Sequence, residues 1–256
     1  MRTLFSSLFF LCLLVAPVHA QYITFDRPGL SLSAAPLGRQ AISIEAGIPL
    51  VSYSSLEGAD VSIYSYSIPV NVRFGMTDAI ELRAATSVYN GVSFSGDDAD
   101  GLDGDGDFGF DFLALGAKFG LPSTSLPFNL SVTPEVWVPL DDEFDTFIGA
   151  TVAAGSQLES GFTLLGNVGL LGPTDSFGDS FLTRLSFQGG YPLTPQVYGF
   201  VETEYTVVQD VDDLALLGLG AAFSVTPTLM LDASLYAGLT DNTDDVRFSL
   251  GGSLRF

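Results

Sequence analysis

Cysteine and histidine are almost missing from this 256-residue chain; each occurs once, as Cys12 and His19. Both lie in residues 1–20, which read as a secretory signal peptide. Met1-Arg2 is a short basic start, Leu4 to Val15 is mostly apolar, and Val18-His19-Ala20 has the small-x-small form of a cleavage site. The apolar run is too short to span a membrane. A lipoprotein signal is excluded because Leu11, where a small residue is needed, precedes Cys12. The mature chain is expected to begin near Gln21 with neither residue. Disulfides, thiol nucleophiles and zinc or haem sites built on His or Cys are then ruled out.

Basic residues are the second scarcity. Removing Arg2 with the signal leaves 8 Lys and Arg against 30 Asp and Glu, a formal net charge of −22. Nucleic acid is excluded as a partner, because phosphate binding needs clustered cations. Long apolar runs are also lacking: no mature segment approaches the roughly 20 residues a membrane helix needs. Yet 47% of the chain is hydrophobic. A chain both greasy and strongly acidic must keep its charge apart from its apolar surface. If it crosses a membrane, it crosses with strands.

The mature sequence divides into alternating segments of about ten residues, the length of a tilted membrane strand. Twelve are predicted: Gln40 to Tyr53, Ser62 to Phe74, Ala79 to Tyr89, Phe110 to Gly120, Phe128 to Val138, Thr146 to Ser156, Phe162 to Leu171, Ser180 to Tyr191, Val197 to Val208, Leu214 to Ser224, Thr228 to Leu239 and Val246 to Phe256. In the last of these, Val246, Phe248, Leu250, Gly252, Leu254 and Phe256 share one face, while Arg247, Ser249, Gly251, Ser253 and Arg255 share the other. No helical period of comparable length appears.

The connections supply an independent argument. Joined in order, every second one is short: Gly75 to Asp78, Leu121 to Pro127, Gln157 to Gly161, Pro192 to Gln196 and Val225 to Pro227. The others, with Asp97 to Asp107, Asp141 to Asp145 and Asp241 to Asp245 among them, hold 20 of the 30 acidic residues. A soluble sandwich has no reason to sort its carboxylates to one rim. A barrel with short periplasmic turns and long outer loops does. Phe74, Phe119, Phe128, Phe162, Tyr191, Phe223 and Phe256 fall outward near the short-turn end, where an aromatic girdle is expected.

Six of the eight mature basic residues fall on inward faces: Arg73, Arg83, Lys118, Arg184, Arg247 and Arg255. Inward acids include Glu45, Glu81, Glu135, Glu202, Glu204 and Asp232. Placing such cations outward at mid-membrane would cost about 2–4 kcal/mol each. If Phe74 opposes Ile80, Arg73 opposes Glu81; if Tyr191 opposes Val197, Arg184 opposes Glu204. Either these charges neutralise one another and fill the lumen, or they line a solute pathway. The pathway candidates are Arg73, Glu81, Arg83, Lys118, Glu135, Trp137, Arg184, Glu202, Glu204, Asp232, Tyr236 and Arg247.

The segment from Asp97 to Asp107 sets Asp97, Asp98, Asp100, Asp103, Asp105 and Asp107 on a glycine-rich backbone. Such a loop offers oxygen ligands for weak Ca²⁺ binding, though its glycine is misplaced for an EF-hand and the closing Glu is absent. A solvated acidic loop is the plainer alternative. No other cofactor is expected. A histidine base, on which outer-membrane proteases, phospholipases and acyltransferases of known kinds rely, is lacking, so the chain is expected not to be an enzyme. A carboxylate-only hydrolase stays formally open with no feature favouring it.

Several stretches resemble a known family. Asp26-Arg-Pro-Gly-Leu-Ser31 with Ile44-Glu-Ala-Gly47, then Arg73 through Arg83, then Gly116-Ala-Lys118, are similar to outer-membrane proteins of the MetA-pathway phenol degradation family. Trp137-Val-Pro-Leu140 departs from that pattern, where a Pro-Thr-Gly end is usual. Separately, Ser249, Gly251, Leu254 and Phe256 resemble the membrane-insertion signal of bacterial outer-membrane barrels. The family resemblance implies a transporter barrel with an N-terminal segment tucked into it.

The expectation is therefore an all-β, transmembrane, antiparallel up-and-down barrel of about twelve strands in a Gram-negative outer membrane. Residues 1–20 are the signal peptide, 21–39 a periplasmic or lumen-inserted lead, and 40–256 the barrel. Two functions are carried forward. One is a passive channel or transporter for small solutes, aromatic or hydrophobic ones included. The other is a closed structural or surface barrel whose acidic loops bind divalent cations or lipopolysaccharide. Expected partners are outer-membrane lipid, lipopolysaccharide, the barrel-insertion machinery and a small solute.

Overall fold

A strand whose alternate residues are polar buries them only if the polar face turns inward and closes on itself. That happens here. The computed structural model describes residues 25–256 except 28, 57–59, 100, 101, 103, 122–127, 141–144, 176–180 and 210–211. Twelve long strands form the wall: β1 (Ile42–Ser55), β2 (Ser62–Gly75), β3 (Ile80–Ser95), β5 (Phe112–Leu121), β6 (Asn129–Pro139), β7 (Phe147–Gln157), β8 (Thr163–Pro173), β9 (Leu182–Pro192), β10 (Val197–Val208), β11 (Leu214–Ser224), β12 (Leu229–Gly238) and β13 (Val246–Arg255). Each pairs antiparallel with its neighbours, and β1 pairs with both β2 and β13, so the sheet closes. Closure leaves no edge strand, although β3 runs on above its last pairing with β5 at Ala85 and Ala114. Among the described residues no helix is long and apolar enough to cross a membrane.

The core is polar and the surface apolar. Arg73, Tyr236, Lys118, Glu45, Glu81 and Glu202 are among the most deeply buried side chains, while Leu219 is 61% exposed, Val201 57% and Phe187 53%. This inversion suits a wall facing acyl chains. The aromatics assigned to the girdle lie as expected: Phe74, Phe119, Phe162, Tyr191, Phe223 and Phe256 are exposed, and Phe128 is half-buried.

Two details depart from the sequence reading. A thirteenth element, β4 (Asp105–Asp107), adds to the upper half of β3 opposite Asn90 to Val92, inside the segment read as pure loop. The hairpin registers are two residues away from those predicted. Gly75 opposes Glu81 and Arg73 opposes Arg83; Tyr191 opposes Gly199 and Arg184 opposes Thr206. Each turn leaves five residues between its last paired positions, 76–80 and 193–197, one position further along the chain than the predicted pairing, and the resulting two-residue slip keeps every side chain on its face. Registers also shift beside Pro49 and Pro69, whose rings cannot donate to the ladder.

Residues 1–20, read above as a signal peptide, residues 21–24, Asp100 and Asp103 lie outside the described residues, as do the side chains of Asp98, Asp105 and Asp107. Around them the backbone makes one 3-10 turn at Asp97–Ala99.

Candidate functional site

The lead from Phe25 to Gln40 enters from the short-turn end. Gln40 N–H donates to Gly75 O at 2.7 Å, and Gly75 N–H to Ala41 O at 2.8 Å. From there it makes one lap of the inner wall. Leu37 N–H donates to Glu81 Oε2 on β3 at 2.7 Å, Pro36 sits over Gly120 of β5, and Ala34 over Gly155 of β7. Leu32 exchanges two hydrogen bonds with Asn167 of β8, at 2.6 and 3.1 Å. The Ser31 and Ser186 hydroxyls meet at 2.7 Å on β9. Glu202 of β10 accepts from Leu30 N–H and Ser31 N–H at 2.7 and 2.8 Å. Arg27 grips Asp232 of β12 at 2.7 and 3.2 Å and Ser249 of β13 at 2.9 Å. Glu45 of β1 then accepts from Asp26 N–H and Arg27 N–H. A chain without helix or sheet partners thus has its buried amides satisfied by carboxylates from the wall, where unpaired amides would be costly.

The lap ends at an ionic cluster. Arg73 donates to Glu81 through Nε and Nη2, both at 2.8 Å, and to Glu45 through Nη1 at 2.8 Å. Asp26 lies 3.0 Å from Arg83 Nη1, 3.1 Å from Lys118 Nζ and 3.6 Å from Arg73 Nε. Three carboxylates face three cations, so the desolvation each suffers is met by nearby opposite charge. Burial alone would raise the pKa of Asp26. Arg73, Lys118, Arg83 and the Ser33 amide outweigh it and hold the carboxyl well below the usual range.

All twelve sequence-predicted lumen residues lie on the inner face, but in different company. Arg73, Glu81, Lys118 and Arg83 belong to the cluster. Glu202 caps the lead and accepts from Tyr236 Oη at 2.9 Å; Asp232 holds Arg27. Arg184 lies 3.6 Å from Glu204, and Arg247 reaches Asp244 at 2.9 Å. The predicted pairs Arg73–Glu81 and Arg184–Glu204 form diagonally rather than directly opposite. Sequence reasoning missed Asp26, Arg27, Asn167 and Ser186 as site residues. Their only signal was the Asp26-Arg27 motif and the polar inner faces of β8 and β9.

Glu135 and Trp137 line a cavity of about 120 Å³ on the long-loop side of the lead, with Leu30, Leu32, Arg83 and Arg184. A second cavity of about 350 Å³ lies on the short-turn side, against Gly29, Ser31, Ser33, Gln188 and Tyr198. Alternate residues of the extended lead therefore face opposite cavities, as the period-two backbone requires. Among the described residues no group of three or more His, Cys, Asp or Glu is placed to hold a metal ion.

A closed twelve-stranded wall, apolar outside and ionic within, defines a transmembrane β-barrel of the outer-membrane type whose bore is crossed by its own N-terminal lead. The chain belongs to the family described as "Putative MetA-pathway of phenol degradation", whose model matches residues 25–256. In fold it is similar to the COG4313 outer membrane channel from Pseudomonas putida F1, at 16% identity and a TM-score of 0.69, covering 90% of this chain and 99% of that one. It also resembles the KdgM porin, at 9% identity and TM-score 0.53, over 84% of this chain and 99% of that one. The NanC porin matches at 8% identity and TM-score 0.53, over 83% and 98%. No curated protein sequence matches the chain.

Proposed function

We propose that this barrel is a narrow passive channel for small solutes, gated by the fit of its lead, and not an enzyme. The observation that carries the reading is the lead's attachment. It is held to the wall by side-chain hydrogen bonds and ion pairs, and a cavity lies on each of its faces. Such contacts exchange for water without unfolding the wall, so a modest shift of the lead joins the two cavities. The apolar walls supplied by Leu30, Leu32 and Trp137 suit solutes with an aromatic or hydrophobic part. The resemblance in fold to an outer membrane channel and two porins supports the same reading. The setting is a Gram-negative outer membrane, reached after signal-peptide cleavage and barrel insertion.

The density of buried ion pairs around Asp26 favours a second reading, a closed barrel that acts through its surface. Its outward contact is then the acidic segment 97–107, to divalent cations and lipopolysaccharide. Planar-bilayer conductance separates the two. A channel gives ionic current whose selectivity changes in the Glu202→Ala/Glu204→Ala double variant. Absence of current from folded protein, or unaltered selectivity, sinks the channel reading.

A further inference from the structure

The cavity on the long-loop side of the lead holds two polar groups left unmatched. Glu135 and Trp137 are two residues apart on β6 and share its inner face. Trp137 Nε1 is buried with no acceptor. The Glu135 carboxylate takes no hydrogen bond or ion pair from any described residue. A buried donor without an acceptor is costly, and the Glu135 carboxylate beside it is open to the cavity, where it can take a cation. Trp137 stacks on Phe112 at a centroid distance of 4.8 Å and an angle of 17°, which fixes the indole as a flat wall. On the other side stands Arg184, its side chain 49% exposed and its carboxylate partner Glu204 no nearer than 3.6 Å. Leu30 and Leu32 supply the floor.

A ligand of one charge fits this set poorly. An anion drawn to Arg184 meets Glu135, and a cation drawn to Glu135 meets Arg83 and Arg184. We propose that the cavity binds a small zwitterion, an ammonium and a carboxylate on a short apolar skeleton. The ammonium pairs with Glu135. The carboxylate pairs with Arg184, and the skeleton lies on Leu30, Leu32 and the indole. A volume of about 120 Å³ suits a solute of amino-acid size. The assignment deepens the channel reading, since it makes this cavity the selective subsite on the route.

Trp137 is the sole tryptophan of the chain, so its fluorescence in the detergent-solubilised protein reports this cavity alone. The probes are L-leucine, 4-methylpentanoate, which lacks only the ammonium, and 3-methylbutylamine, which lacks only the carboxylate. Leucine should change the emission saturably, with each analogue at least about tenfold weaker. Glu135→Gln should weaken leucine about tenfold and leave 4-methylpentanoate no worse. No saturable change, equal responses to the three probes, or an unaltered leucine response in folded Glu135→Gln overturns the proposal. The three-probe comparison on the unaltered protein decides even where the variant does not fold. Conductance without a leucine response removes the zwitterion site and leaves the channel. A leucine response from a barrel with no current removes the channel and leaves the site.

Discussion

Arg73 and Glu81 form a two-point ion pair, Nε to Oε1 and Nη2 to Oε2, both at 2.8 Å and both side chains fully buried. The pair sits where the lead enters, because Glu81 Oε2 also accepts from Leu37 N–H. Arg73→Ala therefore strands three carboxylates, Glu81, Glu45 and Asp26, against fewer cations. Removing one partner of a buried pair costs about 3–5 kcal/mol. Denaturant titration of the barrel refolded in phospholipid vesicles should show a loss of that size. A loss under 1 kcal/mol would mean the cluster does not hold the wall as described.

Glu202 is the second anchor, accepting from Leu30 N–H, Ser31 N–H and Tyr236 Oη. Hydrogen bonds to a charged acceptor contribute about 1.5–3 kcal/mol each. In Glu202→Ala the two lead amides lose their acceptor while the wall pairing is untouched. The expected result is a lead that detaches more often, read as raised conductance and added current noise in planar bilayers. Conductance equal to that of the unaltered protein would show that the lead is held elsewhere.

The wall was readable from sequence, and the lead's seat was not. A strand facing lipid outside and ions inside writes its fold as strict alternation, so Ile80, Leu82 and Ala84 separate from Glu81 and Arg83 without any knowledge of partners. Register escaped because it depends on how each turn closes, and a slip of two residues leaves that alternation intact. Arg73 still finds Glu81, but from beside Arg83 rather than across from Glu81. The lead alternates only briefly, Leu30 and Leu32 against Ser31 and Ser33, and that pattern does not name the wall groups that receive it. It is positioned by amide-to-carboxylate contacts such as Ser31 to Glu202, 171 residues apart, which no local pattern encodes. β4 was hidden for a related reason: Asp105 and Asp107 have low strand propensity, and only the exposed upper edge of β3 recruits them.

Acid should release the lead late. The Asp26 carboxyl is held below its usual range by Arg73, Lys118 and Arg83, with Glu45 and Glu81 as neighbours in the same cluster. A depressed folded-state pKa contributes stability above the free-carboxyl value of about 3.9 and loses it as pH falls toward the folded value. The lead's hold through Asp26 is then the same at pH 7 and pH 5 and weakens only below about pH 4. Bilayer recordings at pH 5 and pH 3 should show more frequent opening at the lower value. In Asp26→Asn, opening should be raised already at pH 7. Opening in Asp26→Asn at pH 7 no more frequent than in the unaltered protein would contradict this assignment.

Gly218 faces the bore directly beneath the Tyr236 ring, so a β-carbon there collides with the aromatic carbons. Tyr236 cannot retreat without breaking its hydrogen bond to Glu202. Gly218→Val should lower the unfolding free energy by about 1–3 kcal/mol, the usual cost of overpacking, and raise conductance as Glu202→Ala does. The combined variant with Tyr236→Phe separates the two effects, since it removes the hydrogen bond while keeping the ring. Gly218→Val with unchanged stability and current would show that the bore has more room at this level than the ring contact implies.

The orientation of the whole wall is open to a depth test. Leu219 is the middle residue of β11 and is 61% exposed; Val225 follows the end of the same strand and is 41% exposed. In a lipid-facing wall, arginine costs about 2–4 kcal/mol at the midplane and about 0–1 kcal/mol near the interface, where the guanidinium reaches headgroups. On a wall facing water the two substitutions would be alike and nearly neutral. Leu219→Arg should therefore destabilise the vesicle-refolded barrel by at least 2 kcal/mol, and Val225→Arg by 1 kcal/mol or less. Equal costs at the two depths would place β11 away from lipid, and with it the reading of its inner face as the bore.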